Sequence, residues 1–235
     1  MTKEQILTAI SSLKPDDLST ILFGSNSVED DITDLIKARL EDSHPNMNLI
    51  SRRTAPNSRL MPDLINYAAK PSPVALEAKH YSSGQPNQFF MHVQGPILDS
   101  QKLKGLEHET HFILQYTSEL VELSGNIIKI PKQILKKENG VLHYFYNENG
   151  FVASKIPAKP VGKYSQILAS IFSKVFNDSV VPITIKVTKH FDDGSFAAFN
   201  EHFFLMEVKW SAELKKRYDH ILKARNVEDF KQNAD

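Results

Sequence analysis

The chain has no cysteine, no excess of either charge, no long apolar run and no glycine-rich phosphate loop, and each absence removes a class of function. Without cysteine there are no disulfides, no thiolate nucleophile and no cysteine–zinc site. The 28 basic and 28 acidic side chains cancel, so no global positive field announces a nucleic-acid partner. Any such surface has to be a local patch. No apolar stretch approaches the roughly 18–20 residues that span a bilayer, which argues against a membrane partner. The opening "MTKEQILTAISSLKPDD" is polar and amphipathic rather than signal-like, and a cytoplasmic location is the default expectation. The missing phosphate loop and the missing G-x-S-x-G elbow lower nucleotide-triphosphatase and serine-hydrolase readings.

What is present is an ordinary globular composition, 41% hydrophobic and 24% charged over 235 residues, enough for one large domain or a core with an added subdomain. Residues 3–14 read as a short helix and 15–23 as a further helical turn. "SVEDDITDLIKARLED" (27–42) is the strongest helix signal of the N-terminal half, with Ser27 and Asp30 resembling a capping box and acids crowding the first turn. Its apolar face is Val28, Ile32, Leu35, Ile36 and Leu40. Three strand-like segments follow at 46–54, 59–68 and 73–81, then a helix at 88–104 with a bend expected at Pro96, then a buried strand at 111–117. This order implies a mixed α/β (α+β) fold, a central sheet with at least one crossover and helices on its faces. Beyond residue 120 come strands in "NIIKI" and "VLHYFYNENG", an apolar helix at 165–178, a hairpin around "DDGS" and a closing helix at 211–226. We therefore expect a core over 1–120 and an accessory α+β region over 121–235, packed on the same domain.

The chemistry concentrates at 61–81, "MPDLINYAAKPSPVALEAKHY". Side chains alternate along a strand, so Glu77 and Lys79 project to one side. If the second and third strands pair as a hairpin, Asp63 approaches Glu77 across the ladder. Two carboxylates so placed repel, and a hard divalent cation between them relieves the repulsion. An adjacent ammonium, Lys79, can orient or help deprotonate an attacking water, or stabilise charge developing on phosphorus. A third acid follows from the helical wheel at roughly 100° per residue. Glu29 falls between Ile36 and Leu40 and points into the apolar face, where a carboxylate needs a partner. Asp30 and Asp34 fall on the opposite, solvated side.

Pro62-Asp63, 13 intervening residues, then Glu77-Ala78-Lys79 resembles the PD-(D/E)XK nuclease superfamily, as does the order helix, three strands, helix, strand with an acid on the first helix. The resemblance covers residues 27–117. It implies a restriction-endonuclease-like core and a catalytic set of Asp63, Glu77, Lys79 and Glu29. Asp63 and Glu77 would ligate Mg²⁺, with Mn²⁺ a plausible substitute. The implied activity is hydrolysis of DNA phosphodiester bonds. The compact size suggests a type II restriction endonuclease acting as a homodimer on a palindromic duplex site. Two alternatives stay open: a structure-specific, repair or defence nuclease without sequence specificity, and a non-catalytic nucleic-acid-binding module on the same fold.

The spacing alone is not specific. Asp193 stands the same 13 residues before Glu207-Val208-Lys209. That Asp, however, sits in "DDGS", which reads as a hairpin tip. For DNA contact, Arg52, Arg53 and Arg59 precede the proposed metal strand, with guanidiniums suited to phosphate or guanine. Lys102, Lys104, Lys132, Lys136 and Lys137 can extend a phosphate-tracking surface. "EHETH" (107–111) does not have zinc-site spacing. Gln88 and His92 are minor candidates to line the groove.

Overall fold

The computed structural model describes residues 1–25, 27–52, 61–69, 74–82, 89–103, 110–124, 127–130, 144–147, 150–154, 164–192 and 194–223. Three helices come first: α1 (Lys3–Ser11), α2 (Pro15–Gly24) and α3 (Val28–Ser43). Strands β1 (Leu49–Ser51), β2 (Leu64–Asn66) and β3 (Val74–Ser82) lead to α4 (Phe89–Leu103) and the long β4 (Thr110–Ser124). Then follow β5 (Ile127–Ile130), β6 (Tyr144–Asn147), β7 (Gly150–Ser154), α5 (Tyr164–Phe176), β8 (Ile183–His190), β9 (Phe196–Lys209) and α6 (Ala212–Ile221). No described helix is long and apolar enough to cross a membrane.

The main sheet has six strands in the order β1-β2-β3-β4-β9-β8, and β5-β7-β6 form a separate three-stranded sheet. Only β3 and β4 pair in parallel, joined by the α4 crossover; the other neighbours are antiparallel. The expected boundary at residue 120 falls inside β4, and β9 pairs with β4 along its whole length. The C-terminal strands β8 and β9 are thus part of the same sheet as the candidate site.

Strand alternation sorts the sheet into two cores. Leu64, Leu76, Ala78, Leu114, Tyr116, Phe203 and Leu205 pack beneath α1, α2 and α3. Ile65, Ala75, Ile113, Phe204 and Met206 pack beneath α4, α5 and α6. The face of α3 is the expected one: Val28, Ile32, Ile36 and Leu40 are buried. Its N-terminus is not a capping box, because Ser27 Oγ donates to the Asp30 carboxylate at 2.7 Å instead of the helix amides being capped.

Three elements differ from expectation for local reasons. Strand β1 stops at Ser51 because Arg52 takes a left-handed backbone conformation, φ 46°. Strand β2 covers only 64–66. Pro62 lacks an N–H for the ladder, and Asp63 meets β3 with its side chain rather than its backbone. Helix α4 continues through Pro96, since Val93 and Ile97 on either side are fully buried against the sheet. Ile36, also fully buried, tests the α3 docking: Ile36→Ala should lower the urea unfolding free energy by about 3 kcal/mol with an unchanged denaturant slope.

Candidate active site

The site forms where β2 leaves β3. The antiparallel register Leu64↔Leu76, Ile65↔Ala75, Asn66↔Val74, carried one step further, sets Asp63 opposite Glu77. Past that point, among the described residues, β3 has no backbone partner on this side. Amides two residues apart on a strand face the same edge, so Ala78 and His80 both present N–H groups to the gap. Two carboxylates fill it. The Ala78 N–H donates to Asp63 Oδ2 at 2.7 Å, and the His80 N–H donates to Glu29 Oε2 at 3.0 Å.

Glu29 is held from four directions. Its Oε1 accepts from Lys79 Nζ at 2.9 Å, with the side chains 28% and 40% exposed. Its carbonyl accepts from Tyr116 Oη at 2.9 Å and from Thr33 Oγ1 at 2.7 Å. Lys79 leaves β3 on the face of Ala75, beneath α4, and its ammonium spans the open edge to reach Glu29 on α3. Glu77 leaves β3 on the same face and is half-buried. Asp63, Glu77, Lys79 and Glu29 therefore share one end of the β2–β3 hairpin.

The electrostatics are those of crowded acids. Burial pushes the Asp63 carboxyl up to about 6. The Ala78 N–H, Arg52 and Lys79 pull it down, while the Glu29 charge adds to the rise. For Lys79, burial alone would lower the ammonium, but its hydrogen bond to Glu29 and the charges of Glu29, Asp99 and Asp63 outweigh it, and the net shift is upward. Lys79 is therefore a held cation rather than a base.

Arg52 is committed to α3. Its Nε pairs with Asp30 Oδ1 at 2.8 Å, its Nη1 with Asp34 Oδ2 at 3.1 Å, and its Nη2 donates to the Asp30 carbonyl at 2.7 Å. Asp30 and Asp34, expected to be simply solvated, are its counterions. Its backbone N–H also donates to the Asp63 carbonyl at 3.2 Å. Arg52 thus braces the strand end that carries Asp63. Arg53, Arg59 and Lys104 lie outside the described residues, as do Lys132, Lys136, Lys137 and Gln88. Lys102 and His92 lie on α4, with their side chains outside the description.

The described residues around the rival motif lie at the two ends of β9. Asp193 lies outside the described residues, but Asp192 and Gly194 sit in the turn that opens β9, while Glu207 and Lys209 close that strand. At about 3.3 Å per residue, β9 from Phe196 to Lys209 spans roughly 43 Å. Glu207 instead pairs with Lys209 at 3.2 Å, and its N–H donates to Asp178. Of "EHETH", His111 is buried in β4 and accepts from Trp210 Nε1.

No family model matches the chain, and no curated protein or solved structure matches it. The chemistry is read from the residues themselves. Among the described residues, no three His, Cys, Asp or Glu side chains converge as a ready metal cage. Mg²⁺ asks for less, one or two carboxylates with water and phosphate oxygens completing the shell. The donor set fits it. Asp63 has one oxygen engaged by Ala78, and its other oxygen takes no hydrogen bond from a described residue. Its ionisation is opposed by burial and by Glu29, the condition that a dication reverses.

Three neighbouring side chains were not nominated from the sequence. Asp99 on α4 is buried, and its charge reaches Lys79. Gln115 on β4 pairs in register with Lys79, has 0% exposure, and its carboxamide has no hydrogen-bond partner among the described residues. Thr117, also buried, leaves its hydroxyl unpartnered in the same way. The available signal was the lone glutamine within the apolar run "HFILQYT".

The raised Asp63 carboxyl has a stability consequence of definite sign. Its stabilising protonated form is fully present below the ordinary value of 3.8 and is lost as pH rises through about 6. In metal-free buffer Asp63→Asn, which keeps an acceptor for the Ala78 N–H, should be more stable than wild type at pH 8 by about 2 kcal/mol. Urea unfolding at the two pH values should show that advantage vanishing by about pH 3.5, below the unfolded carboxyl's range.

Proposed function

We propose that this chain is a Mg²⁺-dependent endonuclease that hydrolyses DNA phosphodiester bonds on a restriction-endonuclease-like core. The observation that carries the reading is the convergence of Asp63, Glu77, Lys79 and Glu29 at the open edge of β3. Asp63 and Glu77 would hold Mg²⁺, which when bound supplies a Lewis acid for the phosphate and a more acidic water. The protein's own contributions are separable. Lys79, kept cationic by three nearby acids, stabilises negative charge developing on the phosphate oxygens and does not take a proton from water. Glu29 fixes the Lys79 ammonium through their 2.9 Å hydrogen bond. The Ala78 N–H orients the Asp63 carboxylate and leaves its second oxygen toward the site.

Within this reading we favour a type II restriction endonuclease working as a homodimer on a duplex palindrome. A single active site cuts one strand, and two-fold symmetry lets two copies cut both. Phage DNA incubated with Mg²⁺ should yield discrete fragments whose sequenced ends share one motif. A smear, or preference for branched DNA, would instead indicate a nuclease without a recognition sequence.

Asp63→Ala and Lys79→Ala should each reduce cleavage by at least about 100-fold without loss of fold by circular dichroism. Glu207→Ala, at the second motif, should cut as wild type. Undiminished Mg²⁺-dependent cleavage by Asp63→Ala would falsify the assignment. Absence of Mg²⁺ or Mn²⁺ binding by calorimetry would favour a non-catalytic binding module.

A further inference from the structure

Strand alternation puts Gln115 and Thr117 on the face of β4 that carries Ile113, beneath α4, α5 and α6. Glu77 and Lys79 leave β3 on that same face, and Lys79 is the register partner of Gln115. Neighbouring strands lie about 4.8 Å apart, so the carboxamide is the next side chain to Lys79 in the row. Gln115 and Thr117 are both fully buried. Gln115 Nε2, Gln115 Oε1 and Thr117 Oγ1 have no hydrogen-bond partner among the described residues.

Buried polar groups are nearly always paired, and each one left unpaired costs stability. The packing makes no demand for polarity at these positions. Ile113 precedes Gln115 on this face, Phe204 is its register partner on β9, and both are buried apolar residues. An apolar side chain of equal length would fill the same place. The next polar pair along the row is different. His202 stands opposite Thr117 on β9, and its Nδ1 shares a 2.8 Å hydrogen bond with Thr184 Oγ1 on β8. That pair is satisfied within the fold, whereas the two β4 side chains beside Lys79 are not. A cost of this kind is kept at functional sites, where the missing partner arrives with a ligand.

We propose that Gln115 and Thr117 are phosphate-binding residues, whose carboxamide N–H and hydroxyl donate to a non-bridging phosphate oxygen held beside Lys79. An ammonium has three N–H donors, and Lys79 gives one of them to Glu29. The Lys79 side chain is 40% exposed, so the row runs from solvent at Lys79 to the buried donors on β4. A phosphate bound at Lys79 comes within about one strand spacing of the carboxamide. Both β4 groups donate without carrying charge, so they can wait buried in the free protein at far lower cost than a second cation. With Lys79 they make a set of donors for the negative charge that grows on the phosphate oxygens during hydrolysis. This role rests on reading the Asp63–Lys79 end of the sheet as a phosphodiester site.

Stability and phosphate binding should move in opposite directions. In metal-free buffer, Gln115→Met, which keeps the length and removes both polar ends, and Thr117→Val should each have a urea midpoint equal to or above that of wild type. With Mg²⁺ present, nitrogen-15 NMR of the full chain should show the Gln115 side-chain amide pair, assigned by its loss in Gln115→Met, shifting on titration with inorganic phosphate. Phosphate affinity should fall about tenfold in Gln115→Met and in Thr117→Val, the scale of one lost hydrogen bond. An amide pair that phosphate leaves unmoved overturns the proposal. So does a lowered midpoint in both Gln115→Met and Gln115→Leu, which would mean that the carboxamide is already paired in the free protein by an internal water. An intact phosphate response with no DNA cleavage by wild type upholds the anion site and removes the nuclease reading. Wild-type cleavage with undiminished single-turnover rates in Gln115→Met and Thr117→Val leaves the nuclease reading in place and overturns the role given to these two residues.

Discussion

Everything at the candidate site depends on two backbone amides that lose their strand partner. β2 begins only at Leu64, so among the described residues the Ala78 and His80 N–H groups of β3 have no strand partner on that edge. Buried amides must be paired, and here the acceptors are carboxylates from two different elements, Asp63 before β2 and Glu29 on α3. A backbone requirement thereby brings two acids from different elements to one strand edge. The pairing draws acids together that would otherwise repel; Lys79 pairs with Glu29, and the charge of Arg52 reaches Asp63. The cost remains visible in Asp63, whose ionisation is disfavoured in the fold.

The rest of the molecule holds that edge in place. The β4–β9 pair forms the spine of the sheet, and the two hydrophobic cores cover its faces. Helix α3 is fixed by Ile32, Ile36 and Leu40, which sets where Glu29 arrives. Helix α4 covers the opposite face and brings Asp99 near Lys79. From the level of Lys79 toward Ser82 the sheet carries buried polar side chains: Gln115, Thr117 and Ser118 on β4, and Glu201 and His202 on β9. A polar layer this deep is destabilising unless its members are paired, and it is concentrated at the end of the sheet that carries the acids.

Much of this was legible because it follows from periodicity. The period of 3.6 in residues 27–42 fixes both the buried face of α3 and the inward direction of Glu29. The period of 2 in residues 73–81 fixes Glu77 and Lys79 on one side. Strand lengths were less legible. β1 and β2 are shorter than their β-rich sequences suggest, because a left-handed Arg52 and a proline at 62 end them. The roles of Arg52 and Gln115 were hidden for a different reason. Each depends on what another element brings opposite it, Asp30 and Asp34 for the arginine and Lys79 for the glutamine, and neither neighbour is close in sequence.

The two acid-acid-lysine motifs separate these contributions most cleanly. By itself the sequence determined residue type, spacing and facing, and those are identical for Asp63/Glu77/Lys79 and Asp193/Glu207/Lys209. It also determined that the chain has no cysteine chemistry and no net charge. Only the tertiary structure decided which motif closes. In the first, the 13 intervening residues include a turn that folds β2 back onto β3 and brings the ends together. In the second, most of the same number of residues run straight along β9 and hold the ends apart. A fixed number of residues sets only a maximum reach, and whether that length is doubled back or extended depends on which strands find partners.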